Sequence, residues 1–167
     1  NYHALTTIHD KELMMKNTMN AAIDFMSLGL DPKKSTFWVQ SDVPQVCEST
    51  WLLSNLVNLG LLDRSTAYKD KLAKGLTANL GLYSYPVLMA SDILLFGGEI
   101  VPVGQDQKQH IEITRDIANR FNNTFGDTFK VPEADIEKTS KLIPGTDGQK
   151  MSKSYNNTIP IFGEEKQ

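Results

Sequence analysis

Short apolar runs of strand length alternate with longer segments of helical periodicity, and this alternation most limits the folds open to the chain. The runs at 36–40 and 99–104 are β-prone, whereas apolar side chains recur at helical spacing within 13–30 and 111–121. Such an alternation predicts an α/β fold of the Rossmann type, a parallel sheet with helices on both faces. Ligands in these folds bind at the carboxyl ends of the strands.

The residues that follow each expected strand are therefore the first places to look for a ligand site. In chain order they are Thr6–Thr7, Gln40–Ser41 and Gly104 to Gln107, and a polar loop region at 122–149 comes after them. Two helical stretches between about 43 and 82 interrupt the alternation. We interpret them as a helical insertion rather than a plain crossover between strands.

Helix-breaking and capping residues predict the bounds of several elements. Residues 2–6 have the composition of the end of a strand. Pro86 is expected to open a helix, since proline fits the first helical turn, and Gly60 is expected to end one. Asp106 is expected to cap the helix after the 99–104 strand, with Gln109 completing a capping box.

Composition narrows the class of protein without indicating a function. The 167 residues suffice for one domain with a buried core, and the formal net charge of −3 gives no sign of a nucleic-acid partner. Cys47 is the only cysteine, which excludes a disulfide framework or zinc ribbon and favours a cytoplasmic location. The most apolar run, 86–96, is interrupted by Asp92 and is too short to span a bilayer, so no membrane role is expected.

A basic segment at 150–154 is the first candidate for chemistry. It contains Lys150 and Lys153, together with Ser152 and Ser154, and it follows a glycine-containing stretch. Ammonium groups can neutralise a polyphosphate, and a mobile loop can close on phosphates as charge develops on a leaving group. A solvated basic turn would carry the same charges, so charge alone does not separate the two interpretations.

Asp92 is the second candidate, because it lies on an apolar helix face. It follows Met89 by three residues and precedes Phe96 by four, so the three side chains can share one face. A carboxylate in that position must be paired or hydrogen-bonded. It could accept an N–H from a ligand such as an indole, which only donates, or from a backbone amide or an arginine of the core.

The third candidate is the segment 104–110, where a strand ends on Gly104 and a helix begins. Helix amino ends favour anions, while Asp106 and Gln107 could accept hydrogen bonds from an ammonium group or ribose hydroxyls. Asp106 could equally be a helix cap, and His110 could be a packed or surface histidine. The patterns of P-loops, dinucleotide folds, zinc proteases and serine hydrolases are absent, so a P-loop phosphate site is not supported.

Taken together, several stretches resemble the tryptophanyl-tRNA synthetases, a branch of the class I aminoacyl-tRNA synthetases. They cover essentially the whole chain in the family's order and lie at 2–6 (YHALT), 28–32, 38–44, 85–94 (YPVLMASDIL), 101–110 (VPVGQDQKQH) and 150–154 (KMSKS). The last motif alone marks class I generally. The motifs at 85–94 and 101–110 point to tryptophan rather than tyrosine enzymes.

The resemblance implies an enzyme that condenses L-tryptophan with ATP to tryptophanyl-adenylate and then esterifies tRNA(Trp). Asp92 matches the carboxylate that accepts the indole N–H, with Met89 and Val103 shaping the ring pocket, and Gln107 matches the residue that holds the α-ammonium group. A site that accepts a substrate hydrogen bond rejects an analogue lacking that donor far better than a pocket judging size alone.

The same resemblance implies a nucleotide site built from two segments. Gly104 and Asp106 would lie at the ribose. The mobile signature loop would grip the phosphates through Lys150, Met151, Ser152 and Lys153, of which the two lysines are the expected catalytic residues. Mg²⁺ would accompany the ATP, with no protein ligand assigned to it.

Further expectations concern partners and completeness. The insertion at about 43–82 resembles the region through which two subunits of the family pair, so a homodimer is expected. The HIGH-type ATP motif and the carboxyl-terminal anticodon-reading domain are not found in the chain, so we expect it to be a poor or inactive enzyme alone. A tyrosyl-tRNA synthetase-like core and a non-catalytic, dimerising fragment remain alternatives.

Overall fold

The computed structural model describes residues 1–65, 68–69, 79–136, 143–149, 151 and 156–160. The helices with both ends in these ranges are α1 (Lys11–Ser27), α2 (Gln45–Ser54), α3 (Leu59–Leu62), α4 (Leu80–Leu94) and α5 (Lys108–Phe125). The strands are β1 (Ile100–Pro102) and β2 (Glu133–Asp135), and short 3₁₀ helices span Tyr2–Thr6, Gln40–Asp42 and Gln105–Gln107. No helix in these ranges is long and apolar enough to cross a membrane.

The two strands pair in parallel, which confirms the α/β fold class. Ile100 lies opposite Glu133, and Pro102 lies opposite Asp135. A parallel pair needs a long crossover, and α5 supplies it between the end of β1 and the start of β2. The Val103 N–H donates to the Asp135 carbonyl at 3.0 Å, so the ladder continues to the point where the chain turns towards α5.

The core forms where α4 packs against α5 and α2. Its buried members are Leu53, Leu61, Leu62, Val87, Ala90, Leu94, Ile113, Ile117 and Ala118. Ile113 and Ile117 lie one helical turn apart, so α5 turns a single apolar stripe inward. Burying each of the larger side chains contributes about 1.5–3 kcal/mol, which fixes α4 and the residues that it carries.

Two expected strand segments are not strands. Residues 2–6 form a 3₁₀ helix, and 36–39 have no regular structure, although Val39 is extended. An extended segment becomes a strand only when a neighbour supplies the ladder, and no other described segment pairs with 36–39. Its aromatic residues pack on side chains instead, with the ring of Trp38 4.7 Å from that of Phe96.

The prediction that Pro86 opens a helix is wrong, because α4 already begins at Leu80. Asn79 caps this helix, its side-chain oxygen accepting the Leu82 N–H at 2.8 Å. Pro86 lies inside the helix and is buried, which shows that core packing outweighs the loss of one backbone donor. Gly60 likewise lies within α3 and does not end a helix.

Asp106 does not cap the helix that follows β1, contrary to expectation. The 3₁₀ turn at Gln105–Gln107 delays α5 to Lys108 and places Gln107 at the N-cap without a side-chain bond. Gln109 donates to the Arg64 carbonyl at 2.8 Å rather than completing a capping box. Of the expected insertion at 43–82, the structure describes α2, α3 and the start of α4, whereas 66–67 and 70–78 lie outside the described residues.

Candidate functional site

The Asp92 carboxylate is the centre of a hydrogen-bonded cluster near the carboxyl end of α4. The Gln40 side-chain amide donates to both of its oxygens, each at 2.8 Å. The His3 ring Nε2 lies 2.8 Å from Oδ2. The Asp92 side chain keeps 26% of its surface exposed, so the carboxylate is paired and also accessible.

Gln40 is itself fixed by the first 3₁₀ helix. Its side-chain oxygen accepts the Tyr2 backbone N–H at 2.9 Å. Next to it, Asn1 and Ser41 exchange two hydrogen bonds. The Asn1 side-chain amide donates to the Ser41 hydroxyl, and the Ser41 backbone N–H donates to the side-chain oxygen of Asn1. The segment around 40–42 and the segment 1–6 are thus held together on one side of Asp92.

A second chain of contacts leads from His3 towards α5. The His3 ring meets the edge of Tyr85 with centroids 6.0 Å apart, and the Tyr85 hydroxyl is hydrogen-bonded to Nε2 of His110. Burial lowers the pKa of His110, against an opposing effect of Asp106, and the His3 ring lowers it further. Burial also raises the pKa of Tyr85, so a neutral phenol meets a neutral imidazole at pH 7.

The segment after β1 adds a carboxylate to this neighbourhood. Asp106 raises the pKa of both Tyr85 and His110, which places its charge close to them. Gly104 and Asp106 are exposed, and Gln107 is half-buried, its amide donating to Asp106 at 3.3 Å. A Cβ on Gly104 would lie 2.7 Å from the Asp106 carboxylate, so the bare glycine allows that carboxylate to fold back over the strand end.

Two clefts flank the cluster. One of about 420 Å³ lies between the first 3₁₀ helix, α2 and α4, and His3 and Tyr85 form part of its wall. The other, of about 530 Å³, lies beside α1 and includes Gln40. Neither wall contains Asp92 itself, nor the half-buried Met89 and Val103, so neither cleft brings together all the expected substrate contacts.

Of the expected phosphate loop at 150–154, the structure describes Met151 alone. Met151 is half-buried and its N–H donates to the Ile143 carbonyl at 2.9 Å. Lys150, Ser152 and Lys153 lie outside the described residues. Before the segment, the Asp147 carboxylate accepts the Gln149 N–H at 2.9 Å. It also accepts the side-chain amide of Asn157, which follows the segment, at 2.8 Å.

Three members of the cluster had no role in the sequence-based site. The pattern marks Gln40 only as a position after an expected strand, and it places His3 and Tyr85 only within motifs. A signal for Gln40 was present, because an apolar helix face bearing Asp92 requires a donor. The identity of that donor depends on a contact across 52 residues of sequence, which no local pattern contains.

Comparison with known sequences covers the entire chain. A sequence model described as tRNA synthetases class I (W and Y) matches residues 1–167. The tryptophan–tRNA ligase of Rhodopirellula baltica is 57% identical over 164 residues, which are 98% of this chain and 51% of that protein. The tryptophan–tRNA ligase of Campylobacter jejuni strain RM1221 is also 57% identical, over 99% of this chain and 52% of its own length. The chain thus spans about half the length of these curated relatives.

Solved structures give the same picture. The tryptophanyl-tRNA synthetase of Campylobacter jejuni complexed with ADP and tryptophan matches 99% of this chain and 52% of its own, with a TM-score of 0.93 and 57% identity. The tyrosyl-tRNA synthetase of Archaeoglobus fulgidus matches 94% of this chain and 47% of its own, with a TM-score of 0.73 at 21% identity. The second likeness shows a shared fold alone.

Proposed function

Because this chain belongs to the class I tRNA synthetases of the tryptophan and tyrosine group, we propose that it is the tryptophan-binding part of a tryptophan–tRNA ligase catalytic core. The parent enzyme would condense L-tryptophan with ATP, release pyrophosphate and transfer the activated amino acid to tRNA(Trp). The observation that carries the proposal is the Asp92 carboxylate, which is held by Gln40 and His3 and yet remains accessible.

In this proposal Asp92 accepts the indole N–H and thereby sets the substrate preference. An indole nitrogen only donates, so a carboxylate that is already oriented is a suitable partner. Met89, three residues earlier on α4, and Val103, just beyond β1, would contact the ring. A substrate without that donor would leave the carboxylate with an unmade hydrogen bond, which costs more than a misfit in size.

The remaining substrate contacts would come from the segment after β1 and from the basic segment. Gln107 would hold the α-ammonium group, while Gly104 and Asp106 would contact the ribose at the carboxyl end of β1, the usual ligand edge of such sheets. The ATP phosphates would be gripped by Lys150, Met151, Ser152 and Lys153, with Lys150 and Lys153 stabilising the charge that develops in the transition state. Mg²⁺ would bind through the phosphates of ATP and keep several of its waters.

The tyrosine alternative has weaker support. A tyrosyl-tRNA synthetase of 21% identity has the same fold, whereas the tryptophan enzymes reach 57%. The proposal extends to a cytoplasmic protein that pairs as a homodimer through the region of about 43–82, in which Trp51 and Leu80 are among the most exposed apolar side chains. The alternative of a non-catalytic fragment predicts no specific binding of either amino acid.

The proposal is tested by ligand-observed NMR of this chain with L-tryptophan and with L-tyrosine. We expect binding of tryptophan in preference to tyrosine, and a weakening of about 10- to 100-fold in Asp92→Asn, because a hydrogen bond to a charged group is lost. Asp127→Asn is the matched control, since it removes the same charge from an exposed loop position after α5.

Either of two results would contradict the proposal. Preferential binding of tyrosine would show that tyrosine, and not tryptophan, is the amino acid that the site accepts. Equal affinities for tryptophan in Asp92→Asn and Asp127→Asn would remove Asp92 from the site.

A further inference from the structure

The two oxygens of the Asp92 carboxylate accept different numbers of hydrogen bonds. An ionised carboxylate offers about four lone-pair positions, two on each oxygen. Oδ2 faces two donors, His3 and Gln40, whereas Oδ1 faces Gln40 alone. Among the described residues Oδ1 is therefore the oxygen that can accept one further strong donor without breaking an existing contact.

The orientation of the Gln40 amide is fixed by its partners on both ends. Its oxygen accepts the Tyr2 N–H, and its nitrogen faces two carboxylate oxygens that can only accept. A flipped amide would set its oxygen against the carboxylate and its nitrogen against an N–H, so only one orientation satisfies both ends. Gln40 thus links the 1–6 segment to Asp92 and orients the plane of the Asp92 carboxylate.

We propose that Gln40 is a positioning residue that determines specificity for the indole N–H, by holding the Asp92 carboxylate with Oδ1 directed to receive it. The inference rests on the proposed function, since it deepens the role of Asp92. Without Gln40 the carboxylate would be tethered by His3 alone and would be free to turn about its χ2 bond, which has a broad energy profile. A loosely oriented carboxylate gains less binding free energy from the same donor, because ordering its side chain on binding costs free energy.

The test compares two ligands that differ only at the donor, L-tryptophan and L-3-benzothienylalanine, which has sulfur in place of the indole N–H. Dissociation constants are measured by titration calorimetry of the wild-type chain and of Gln40→Met, which keeps the length of the side chain and removes its donor. We expect a wild-type preference for tryptophan of about tenfold or more, falling to about threefold or less in Gln40→Met. The affinity for benzothienylalanine should stay within about twofold.

Two further variants sharpen the result. Gln45→Met is the matched control at an exposed glutamine of α2, and it should retain the wild-type preference. The double variant Gln40→Met/Asp92→Asn should lose no more preference than Asp92→Asn alone, because both substitutions remove one interaction. A merely structural role of Gln40 would weaken both ligands alike and leave the preference unchanged.

A measurement that needs no ligand covers the case in which Gln40→Met does not fold. Spectra of the ¹⁵N-labelled wild-type chain and of ¹⁵N-labelled Asp92→Asn are compared. The side-chain amide protons of Gln40 should differ in chemical shift between the two chains, and those of Gln45 should not. An unshifted Gln40 amide would overturn the proposal, as would a preference that survives Gln40→Met. A wild-type chain without any preference between the two ligands would instead overturn the proposed role of Asp92, and with it this inference.

Discussion

Asp147 and Asn157 are joined across the basic segment, and Asn157 closes the small turn at 145–149 that precedes it. The Asp147 carboxylate accepts from the Asn157 amide and the Gln149 N–H, and the Thr146 N–H donates to the Asn157 carbonyl at 3.0 Å. Asn157 is buried, and a Cβ on Gly145 would lie 2.4 Å from its carbonyl oxygen, so only glycine fits there. The stretch that was notable in the sequence for its glycines is thus a fixed turn with a specific side-chain partner.

The pH dependence of this turn follows from its donors. The Asn157 amide, together with the Gln149 N–H, holds the pKa of Asp147 below its ordinary value of 3.8. A carboxyl group with a lowered folded pKa adds stability that is complete above its unfolded pKa and is lost as pH falls through the folded value. Asp147→Asn keeps an acceptor but cannot ionise. The amount by which the wild-type free energy of unfolding exceeds that of Asp147→Asn should therefore shrink as pH falls below about 4.

Unfolding midpoints in urea from pH 6 down to pH 2.5 measure this difference. Asp127→Asn serves as the control for the loss of one exposed negative charge. A difference between wild type and Asp147→Asn that stays constant over the whole range would disprove the coupling to Asn157.

The chemistry of Asp92 could be predicted from its position, whereas its partners could not. A carboxylate three residues from Met89 on an apolar face needs a donor, and the structure supplies Gln40 and His3. Phe96, expected on the same helix, lies beyond the last residue of α4 and packs on Trp38. Contacts between distant segments depend on the whole fold. A local sequence pattern therefore shows that Asp92 needs a hydrogen-bond donor, but it does not identify which residue supplies that donor.

At the level of elements, α1 differs from the other helices in its packing. None of its 17 residues is buried, although large apolar side chains such as Met15, Met19 and Phe25 lie along it. Its N-terminus is well defined, because the Asp10 side chain accepts the Leu13 N–H at 2.8 Å. With little burial to hold it, α1 should depend on this cap more than a core helix would.

Replacing the cap should loosen α1 without affecting the core. Asp10→Ala removes an acceptor worth about 1 kcal/mol, so amide hydrogen exchange in 14–27 should become about fivefold faster. Asp10→Asn, which keeps a good capping side chain, should change exchange little. Amides of α5, whose Ile117 is fully buried, report whether the effect stays local. An equal acceleration in α5 would mean that α1 unfolds only together with the core.

Element types were easier to predict from the sequence than element bounds. The amphipathic stripe of α5 and the strand near 99–104 are confirmed, because each follows from side-chain periodicity. Pro86 misled the prediction, since burial inside α4 offsets a cost that is decisive only for an isolated helix. A local penalty of about 3 kcal/mol is small beside the free energy gained when α4 buries its apolar side chains against α2 and α5.

Over the described part of the molecule, the two most exposed large apolar side chains both lie in the expected insertion. Trp51 is 72% exposed and Leu80 is 78% exposed, and with Leu59 they line a cleft of about 390 Å³ beside α2 and α4. A contiguous apolar surface of this kind marks an interaction site more often than free surface. The cleft also lies within the region that the proposed homodimer would use, which makes Trp51 the natural residue to test.

Trp51→Asp should separate a dimer into folded monomers. A tryptophan near the centre of an interface commonly contributes about 2 kcal/mol or more, so the dimer dissociation constant should rise by at least about thirtyfold. Sedimentation velocity over a range of protein concentrations measures this change. Because Trp51 is exposed, circular dichroism should show an unchanged fold. Phe125→Asp, at a side chain 66% exposed at the end of α5, is the matched control and should leave the association intact. A chain that is monomeric at every concentration, or a Trp51→Asp variant that associates as well as Phe125→Asp, would rule out pairing through this surface.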